Sequence, residues 1–288
     1  MIRVERHLAR MTDGTRAVFR RLLQAVRYEL LPLENTLEQS AHLPPGVEVA
    51  VTADPERGMG PTIDLAVELS RRGYDPIPHL AAQLIVDRAD LESHLVRLAE
   101  AGVERALVVG GVADAPGVYP DAAALLDAIE EIGSSLREVG IAGYPQGHHV
   151  IPDEPIDRSL VEKAPQAGWI TTQICFDVPR LEEWIGETRA AGVHLPIWLG
   201  IPAVADLTGL MSLGMRIGAG RSLQFMFEHP RVVSRLLRPG GRKASELVLD
   251  LSKLAADESL GIAGFHLFTY NQVRAAERWR RRLATWSA

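Results

Sequence analysis

The segment Val26-Arg27-Tyr28-Glu29-Leu30-Leu31-Pro32 is a short apolar run with a carboxylate in its middle and a proline at its end. Runs of this length and composition form buried strands. A carboxylate on a buried strand must be ionised and paired, or held neutral by desolvation, and both states are useful in catalysis. Glu29 is therefore a candidate general acid. The alternative is a structural salt bridge between Glu29 and Arg27 or another arginine.

Seven further apolar runs follow this segment and alternate with helical patterns along the chain of 288 residues. The predicted strands cover residues 26–31, 47–52, 76–80, 105–109, 138–143, 169–174, 195–201 and 262–268. The predicted helices cover 16–24, 61–72, 88–101, 121–133, 179–191 and 271–285, with a longer helical section at 204–259. Because every strand looks buried on both faces, the pattern favours a closed parallel barrel over an open sheet.

The whole pattern predicts an α/β fold, a (β/α)8 TIM barrel that forms one domain over residues 1–288. Residues 1–24 are expected to add an N-terminal helical extension, and residues 204–259 to elongate the seventh βα unit. No linker rich in proline, glycine or serine divides the chain. About 250 residues are usual for a single barrel of this kind.

Composition and charge argue against several classes of function. The net charge of -6 gives no general attraction to nucleic acid. No apolar run approaches the roughly 20 residues that span a bilayer, and the N-terminus lacks the apolar core of a signal peptide. The single cysteine, Cys175, excludes an internal disulfide and a CxxC metal site. We therefore expect a cytoplasmic protein, a monomer or small homo-oligomer, that binds neither membranes nor nucleic acid.

Polar residues gather where the predicted strands end, and active sites of such barrels lie at that face. The group comprises Glu29, Thr52, Asp54, Glu56, His79, Tyr144, Gln146, His148, Gln173, Asp177 and His266. The adjacent His148 and His149 lack the helical HxxxH spacing of many zinc sites, so no metal site is predicted. His79, between Pro78 and Leu80, is interpreted as a core histidine more readily than as a base.

A glycine-rich segment, Gly214 to Ser222, precedes a predicted helix between the seventh and eighth strands. Many barrels bind phosphate near this position through backbone N–H groups. Gly218, Gly220 and Arg221 are therefore candidates for holding a nicotinamide pyrophosphate. The alternative is a plain flexible loop.

Seven segments at the predicted strand ends occur in the order found in one known family. They are Tyr28–Pro32, Val49–Thr52, Pro78–Leu80, Ile141–Pro145 followed by His148, Thr172–Gln173 with Phe176–Asp177, Pro196–Ile197 with Gly200–Pro202, and Gly264–Asn271. Over about residues 26–285, the chain resembles the methylenetetrahydrofolate reductase family.

The resemblance implies reduction of 5,10-methylenetetrahydrofolate to 5-methyltetrahydrofolate by NADH or NADPH, ordinarily through bound FAD. Glu29 matches the glutamate thought to protonate the folate as its five-membered ring opens to an iminium ion. Hydride then reaches the exocyclic carbon. The folate contacts implied are Gln173, Tyr144 and Phe176. The candidate nicotinamide or cofactor contacts are Thr52, His79, Gly110, Gly111 and His148, together with Gly218, Gly220 and Arg221 of the glycine-rich segment.

The chain departs from the family where flavin contacts are expected. The common Leu-Arg-Gly-Asp after the fourth strand, whose aspartate lies beside the flavin, reads Val109-Gly110-Gly111-Val112 here. The usual Tyr-Pro-Glu-x-His-Pro has become Tyr144 to His149, and the threonine after Pro-His-Leu is Ala81. Glu29 and Gln173 remain. The chain therefore resembles a divergent branch in which the nicotinamide passes hydride directly to the folate, and FAD is expected to be absent.

Three other functions stay open from the sequence. They are a FAD-dependent reductase of the same reaction, a folate-linked methyl or one-carbon transferase, and a non-catalytic folate-binding protein. The choice between NADH and NADPH also stays open, because the chain has no G-x-G-x-x-G unit followed by an acidic residue.

Overall fold

Eight parallel strands close into a barrel in the order of the sequence, with β8 pairing back onto β1. This computed structural model describes residues 11–111, 113, 115–147, 153–203 and 244–287. The strands are β1 Val26–Leu30, β2 Glu48–Val51, β3 Asp75–Ala81, β4 Arg105–Val109, β5 Glu138–Gly143, β6 Trp169–Thr172, β7 Ile197–Pro202 and β8 Ile262–Phe268. The predicted (β/α)8 barrel is confirmed.

Helices follow most strands and cover the outside of the barrel. They are α1 Asp13–Gln24, α2 Thr36–Ser40, α3 Gly60–Arg71, α4 Arg88–Glu100, α5 Ala122–Ile132, α6 Asp153–Lys163, α7 Val178–Ala190, α8 Ala244–Leu254 and α9 Val273–Ser287. Helix α1 precedes the first strand, as predicted. Among the described residues, no helix combines the length and apolar character needed to cross a bilayer.

The structure differs from the sequence prediction in two helices and several strand ends. The five-residue helix α2 lies in a segment where no helix was predicted. Helix α6 was not predicted, because its sequence is polar on average and carries a proline, Pro155, near its start. A proline in the first turn is compatible with a helix, since that N–H has no partner within the helix. Strand β6 ends at Thr172 instead of 174, and β7 begins at Ile197 instead of 195. Most of the predicted section 204–259 lies outside the described residues; its described part contains α8.

The hydrophobic core has two parts that follow the alternation of side chains along each strand. A large cluster fills the layer between the strands and the helices, where Tyr28 of β1 lies. A small cluster of Ile77, Leu107 and Trp169 fills the barrel interior. The indole of Trp169 fits because β5 has glycine at position 140, where a Cβ atom would lie 2.1 Å from the ring.

The N-terminal ends of the strands form a charged layer inside the barrel, which we call the barrel floor: Arg27, Glu48, Asp75, Arg105, Trp169 and Trp198. The Arg27 guanidinium lies 4.4 Å from the ring centroid of Trp169 and 3.7 Å from that of Trp198. Its Nε donates to Glu48 at 2.5 Å, and Arg105 donates to the other Glu48 oxygen at 2.5 Å and also to Asp75. Arg27 therefore pairs with Glu48, and the alternative pairing of Arg27 with Glu29 is wrong.

Candidate active site

The opposite face of the barrel, where the strands end, holds a cluster that we call the barrel mouth: Glu29, His79 and His266. Glu29 lies on β1, and His266 lies on the adjacent β8. The His266 Nε2 atom lies 3.0 Å from a carboxylate oxygen of Glu29. The side chain of Glu29 is 12% exposed and that of His266 is 2% exposed. The carboxylate is thus held by an imidazole while remaining open to a ligand.

His79 brings a second imidazole to the mouth from β3. Its ring centroid lies 5.9 Å from that of His266, and its Nε2 atom is buried without a hydrogen-bond partner among the described residues. Burial lowers the pKa of His79 to about 4, although the negative charge of Glu29 opposes this shift. His79 is therefore a neutral imidazole at physiological pH. The prediction of a core histidine fits its burial, but its orphan nitrogen is unusual for a satisfied core residue.

The turn between β8 and α9 holds the end of β1 in place. The hydroxyl of Thr269 donates to the backbone carbonyl of Glu29 at 2.5 Å. The Asn271 side chain accepts from the backbone N–H of Leu31 at 2.8 Å and donates to the Leu31 carbonyl at 3.0 Å. These bonds fix the backbone that directly follows the Glu29 side chain. The sequence prediction assigned no role to Thr269 or Asn271, although both belong to a family-like segment.

Tyr270 and Asn271 in the same turn have positive φ values of 48° and 57°. Such values are uncommon outside glycine, and asparagine tolerates them better than tyrosine does. Burial raises the pKa of the Tyr270 phenol, and the negative charge of Glu29 acts in the same direction. Tyr270 thus keeps its proton and lies within electrostatic reach of Glu29.

Gln173, the expected folate contact, follows directly after β6 and is partly exposed. Its backbone N–H donates to the carbonyl of Gly143 at 2.9 Å. The preceding Thr172 accepts a hydrogen bond from the N–H of Gly200 at 2.9 Å. A Cβ atom at Gly200 would lie 2.3 Å from the Thr172 carbonyl oxygen, so only glycine permits this approach of β7. The end of β6, and with it Gln173, is fixed by its neighbours.

The other predicted folate contacts occupy different surroundings. Tyr144 follows β5 and is partly buried, and burial raises the pKa of its phenol. Phe176 is 5% exposed and belongs to the large cluster between strands and helices. The role of each in folate binding stays a prediction.

Three of the predicted nicotinamide or cofactor contacts besides His79 are described. The N–H of Thr52 donates to the Leu30 carbonyl at 3.0 Å, which puts Thr52 beside the end of β1. Gly110 and Gly111 follow β4, and Gly111 has a φ of 75°. A Cβ atom at Gly111 would lie 3.0 Å from the Cβ of Ala81. His148, Gly218, Gly220 and Arg221 lie outside the described residues, as does Val112.

Two polar residues near the mouth have local structural roles. Asp54 accepts from the N–H of Glu56 at 3.0 Å within a turn. Asp177 caps α7 by accepting from the N–H of Arg180 at 3.3 Å. The buried thiol of Cys175 donates to the Asp177 carbonyl at 3.3 Å. These contacts account for Asp54 and Asp177 without a ligand.

A sequence model of the family described as methylenetetrahydrofolate reductase matches residues 33–220. The matched region covers more than half of the chain and contains β2 to β7 with Gln173. It does not include Glu29 on β1 or His266 on β8. The roles of these two residues therefore depend on their geometry and on the strand-end segments that contain them.

Curated relatives match shorter stretches of the chain. Methylenetetrahydrofolate reductase 1 of Schizosaccharomyces pombe is 39% identical over 67 residues, which are 22% of this chain and 11% of the yeast protein. Methylenetetrahydrofolate reductase 2 of Saccharomyces cerevisiae is 24% identical over 143 residues, 48% of this chain and 23% of that protein. The matched stretches thus span less than a quarter of the length of either relative.

Solved structures with similar folds have low sequence identity to the chain. An uncharacterized protein from Clostridium thermocellum that binds two copies of 5-methyl-5,6,7,8-tetrahydrofolic acid has a TM-score of 0.58 and 12% identity, covering 89% of this chain and 95% of that one. Tryptophan synthase from M. tuberculosis has a TM-score of 0.51 and 14% identity, covering 97% and 98%. At these identities the likeness concerns the fold alone.

Proposed function

The chain belongs to the methylenetetrahydrofolate reductase family, and on this premise we propose that it reduces 5,10-methylenetetrahydrofolate to 5-methyltetrahydrofolate with NADH or NADPH. The observation that carries the proposal is the carboxylate of Glu29, which lies at the barrel mouth and is bonded to His266 at 3.0 Å. The Glu29 side chain is partly accessible, and the nearby Arg27 pairs with Glu48 in the barrel floor and not with Glu29. Glu29 is thus available as an acid.

Glu29 acts as the general acid in this proposal. The neutral carboxylic acid gives its proton to the folate nitrogen that leaves as the five-membered ring opens to an iminium ion. Hydride from the nicotinamide then adds to the exocyclic carbon, and solvent returns a proton to Glu29. An imidazole can accept a hydrogen bond from a carboxylic acid or donate one to a carboxylate. His266 can therefore hold Glu29 in both protonation states of the cycle.

Gln173 and the adjacent strand ends form the substrate contacts of this proposal. Gln173 binds the pterin, with Tyr144 and Phe176 as further folate contacts. Thr52, His79, Gly110 and Gly111 contact the nicotinamide, and the orphan nitrogen of His79 offers a hydrogen-bonding group on this side. His148, Gly218, Gly220 and Arg221 stay sequence-based candidates.

Hydride passes directly from the nicotinamide to the folate in this proposal. Direct transfer is supported by the apolar residues that stand at the ends of β3 and β4, where the family has flavin contacts. Ala81, Gly110 and Gly111 carry no polar side chain, and the close approach of Gly111 to Ala81 leaves no room for a larger residue at position 111. The carboxylate that the family commonly places after this glycine is replaced by Val112. These residues do not fit the usual flavin contact, so we route no step through FAD.

The test is turnover by the purified protein without added flavin. We expect oxidation of NADH or NADPH only when methylenetetrahydrofolate is present, with formation of 5-methyltetrahydrofolate, and no flavin absorbance in the visible spectrum. Binding of the folate without any turnover would indicate a non-catalytic binding protein. Product formation that needs no nicotinamide would indicate a one-carbon transferase.

An isotope experiment separates the two hydride routes. With NADH or NADPH deuterated at the transferred position, direct transfer delivers one deuterium to each product methyl group. A reduced flavin carries the hydrogen on a nitrogen that exchanges with water, so a flavin route would lose label to solvent. A yellow protein that yields unlabelled product would contradict direct transfer.

A further inference from the structure

The barrel mouth also carries the donor set of a metal site. We propose that Glu29, His79 and His266 form a three-ligand site for a divalent transition-metal ion such as Zn²⁺. Each residue offers one ligand atom, and the three atoms all lie within 4.8 Å of one another. The sequence prediction of no metal site relied on the missing HxxxH spacing. Here the ligands come from three separate strands, β1, β3 and β8.

The distances are close to those of a coordinated ion. Zinc bonds to nitrogen and oxygen of about 2.0–2.2 Å put the donors of a tetrahedral site about 3.3–3.6 Å apart. The pair of Glu29 and His266 is already at 3.0 Å. All three atoms lie within 4.8 Å of one another, so the ring of His79 has to approach the pair by at most about 1.5 Å to reach tetrahedral spacing.

A second, independent observation is the unpaired nitrogen of the His79 imidazole. The His79 side chain is more than nine-tenths buried, and its Nε2 atom has no hydrogen-bond partner among the described residues. Buried polar atoms normally have partners, and those that lack one in a native structure point to a missing ligand or ion.

The donor types select the class of ion. Two imidazole nitrogens and one carboxylate oxygen suit Zn²⁺, Co²⁺ and related ions, whereas Mg²⁺ and Ca²⁺ prefer oxygen ligands alone. Three protein ligands leave a fourth position open to water or an exogenous ligand. We therefore expect the site to bind Zn²⁺ and not to bind Mg²⁺.

Metal binding at these residues does not rest on the proposed reductase activity, but one consequence does. A divalent ion bound to one oxygen of Glu29 keeps the carboxylate ionised, because its positive charge opposes protonation of either oxygen. Zinc binding and proton donation are therefore mutually exclusive at Glu29, and zinc is an inhibitor of the reductase.

Binding is measured first, without folate or nicotinamide, on protein freed of metal with a chelator. Titration with Co²⁺ is followed by visible absorption, and titration with Zn²⁺ by calorimetry. We expect one equivalent of Zn²⁺ to bind and to displace Co²⁺. His79→Gln and His266→Gln should each weaken zinc binding by at least about tenfold, since even indirect partners of a metal ligand typically contribute that much.

His94→Gln is the matched control, because His94 is a buried histidine on α4 that pairs with Asp90 at 3.2 Å, away from the mouth. This variant should bind zinc as the wild type does. Circular dichroism confirms that each variant is folded. Equal zinc affinity in the wild type, His79→Gln and His266→Gln would overturn the site, as would the absence of stoichiometric binding.

Turnover is measured second. If the protein is a reductase, Zn²⁺ should inhibit it at the concentrations that fill the site, and EDTA should restore the rate. Full activity with the site occupied would overturn the mutual exclusion. If the protein shows no reductase activity, the binding result still decides whether the metal site exists, so the two proposals fail separately.

Discussion

The barrel floor and the barrel mouth differ in how strongly the polar groups of strand β1 are paired. Arg27 and Glu29 are two residues apart on β1 and both point into the barrel. Arg27 lies between two indole rings and donates to Glu48 at 2.5 Å, whereas Glu29 has one imidazole partner at 3.0 Å. A buried charge with strong partners is held in one place and is costly to leave unpaired, whereas a polar group with spare bonding capacity is available for chemistry.

The electrostatics of the two layers follow the same division. In the floor, burial by itself would raise the pKa of Glu48, but Arg27 and Arg105 hold that pKa below its usual value. The Nη1 atom of Arg27, buried and without a hydrogen-bond partner among the described residues, belongs to a guanidinium that stacks on indole faces. In the mouth, burial keeps His79 neutral. The floor is a layer of paired ions, and the mouth holds a neutral imidazole close to the Glu29 carboxyl group.

The largest expected effect tests the mouth. Glu29→Gln keeps the shape of the side chain but removes the proton donor, so turnover should fall by about 10²–10⁴-fold, the usual contribution of a general acid. The matched control is Glu38→Gln, an exposed carboxylate on α2, which should keep the wild-type rate. Steady-state nicotinamide oxidation measures both. A Glu29→Gln variant with near-normal turnover would show that the mouth, like the floor, has no role in catalysis through this residue.

The next effect tests the floor. Glu48→Gln leaves Arg27 buried without its counter-ion, so the free energy of unfolding should fall by about 3 kcal/mol or more. Turnover per folded molecule should be retained. Because the folded-state pKa of Glu48 is lowered, the stability from its ionisation is present above the unfolded pKa of about 4.3 and is lost as the pH falls through the folded value.

Denaturant unfolding at neutral and acidic pH measures this effect. The acid-induced loss of stability should be smaller in Glu48→Gln than in the wild type. Glu104→Gln is the control, since Glu104 pairs with Arg137 at 2.9 Å on the exposed surface, where such pairs contribute about 0–1 kcal/mol. Equal losses in the two variants would show that the floor is no stronger than a surface ion pair.

A smaller effect is expected at the wall of the mouth. Gly200→Ala introduces a Cβ atom 2.3 Å from the Thr172 carbonyl oxygen. The overpacking should cost about 1–3 kcal/mol of stability and displace Gln173, which raises the folate KM. Gly186→Ala is the control, because a Cβ at this position in α7 meets no atom within 4 Å, and alanine should be neutral or stabilising there. An unchanged KM in Gly200→Ala would argue against a folate contact by Gln173.

The smallest effect concerns the outer face of β1. The Tyr28 hydroxyl donates to Glu277 of α9 at 2.6 Å, on the side opposite to Glu29. Tyr28→Phe removes this bond and should lower the free energy of unfolding by about 1–2 kcal/mol, since the acceptor is charged. Turnover should not change. A large fall in turnover would mean that the two faces of the strand are not separate in function.

The sequence predicted the barrel because all eight strands are continuous apolar runs separated by helical patterns. Helix α6 was not predicted, because its polar composition and its early proline are typical of a loop. The strand ends shifted by one or two residues where polar or proline residues extend a run, as at Thr172 and Ile197. The hydrophobic pattern shows where a strand lies. The residue at which the strand ends is set by its last hydrogen bond to an adjacent strand, which the pattern does not show.

The site was predictable only in part. Glu29 and Gln173 were proposed from the family-like strand ends, and the family itself is confirmed by the match over residues 33–220. The partner of Glu29 was not predicted correctly, because Arg27 is nearer in the sequence than His266. The predicted closed barrel places β8 beside β1 but does not say which of their side chains meet. His266 is among the polar strand-end residues, and the observed register of β8 against β1 brings it to Glu29.

The central claim is that Glu29 takes part in chemistry and not only in binding. The direct measurement is the single-turnover rate of hydride transfer in Glu29→Gln, with the dissociation constant of the folate measured on the same sample. We expect the dissociation constant to stay within a few-fold of the wild type while the rate falls by about 10²-fold or more. A wild-type rate, or a loss of affinity as large as the loss of rate, would contradict the account.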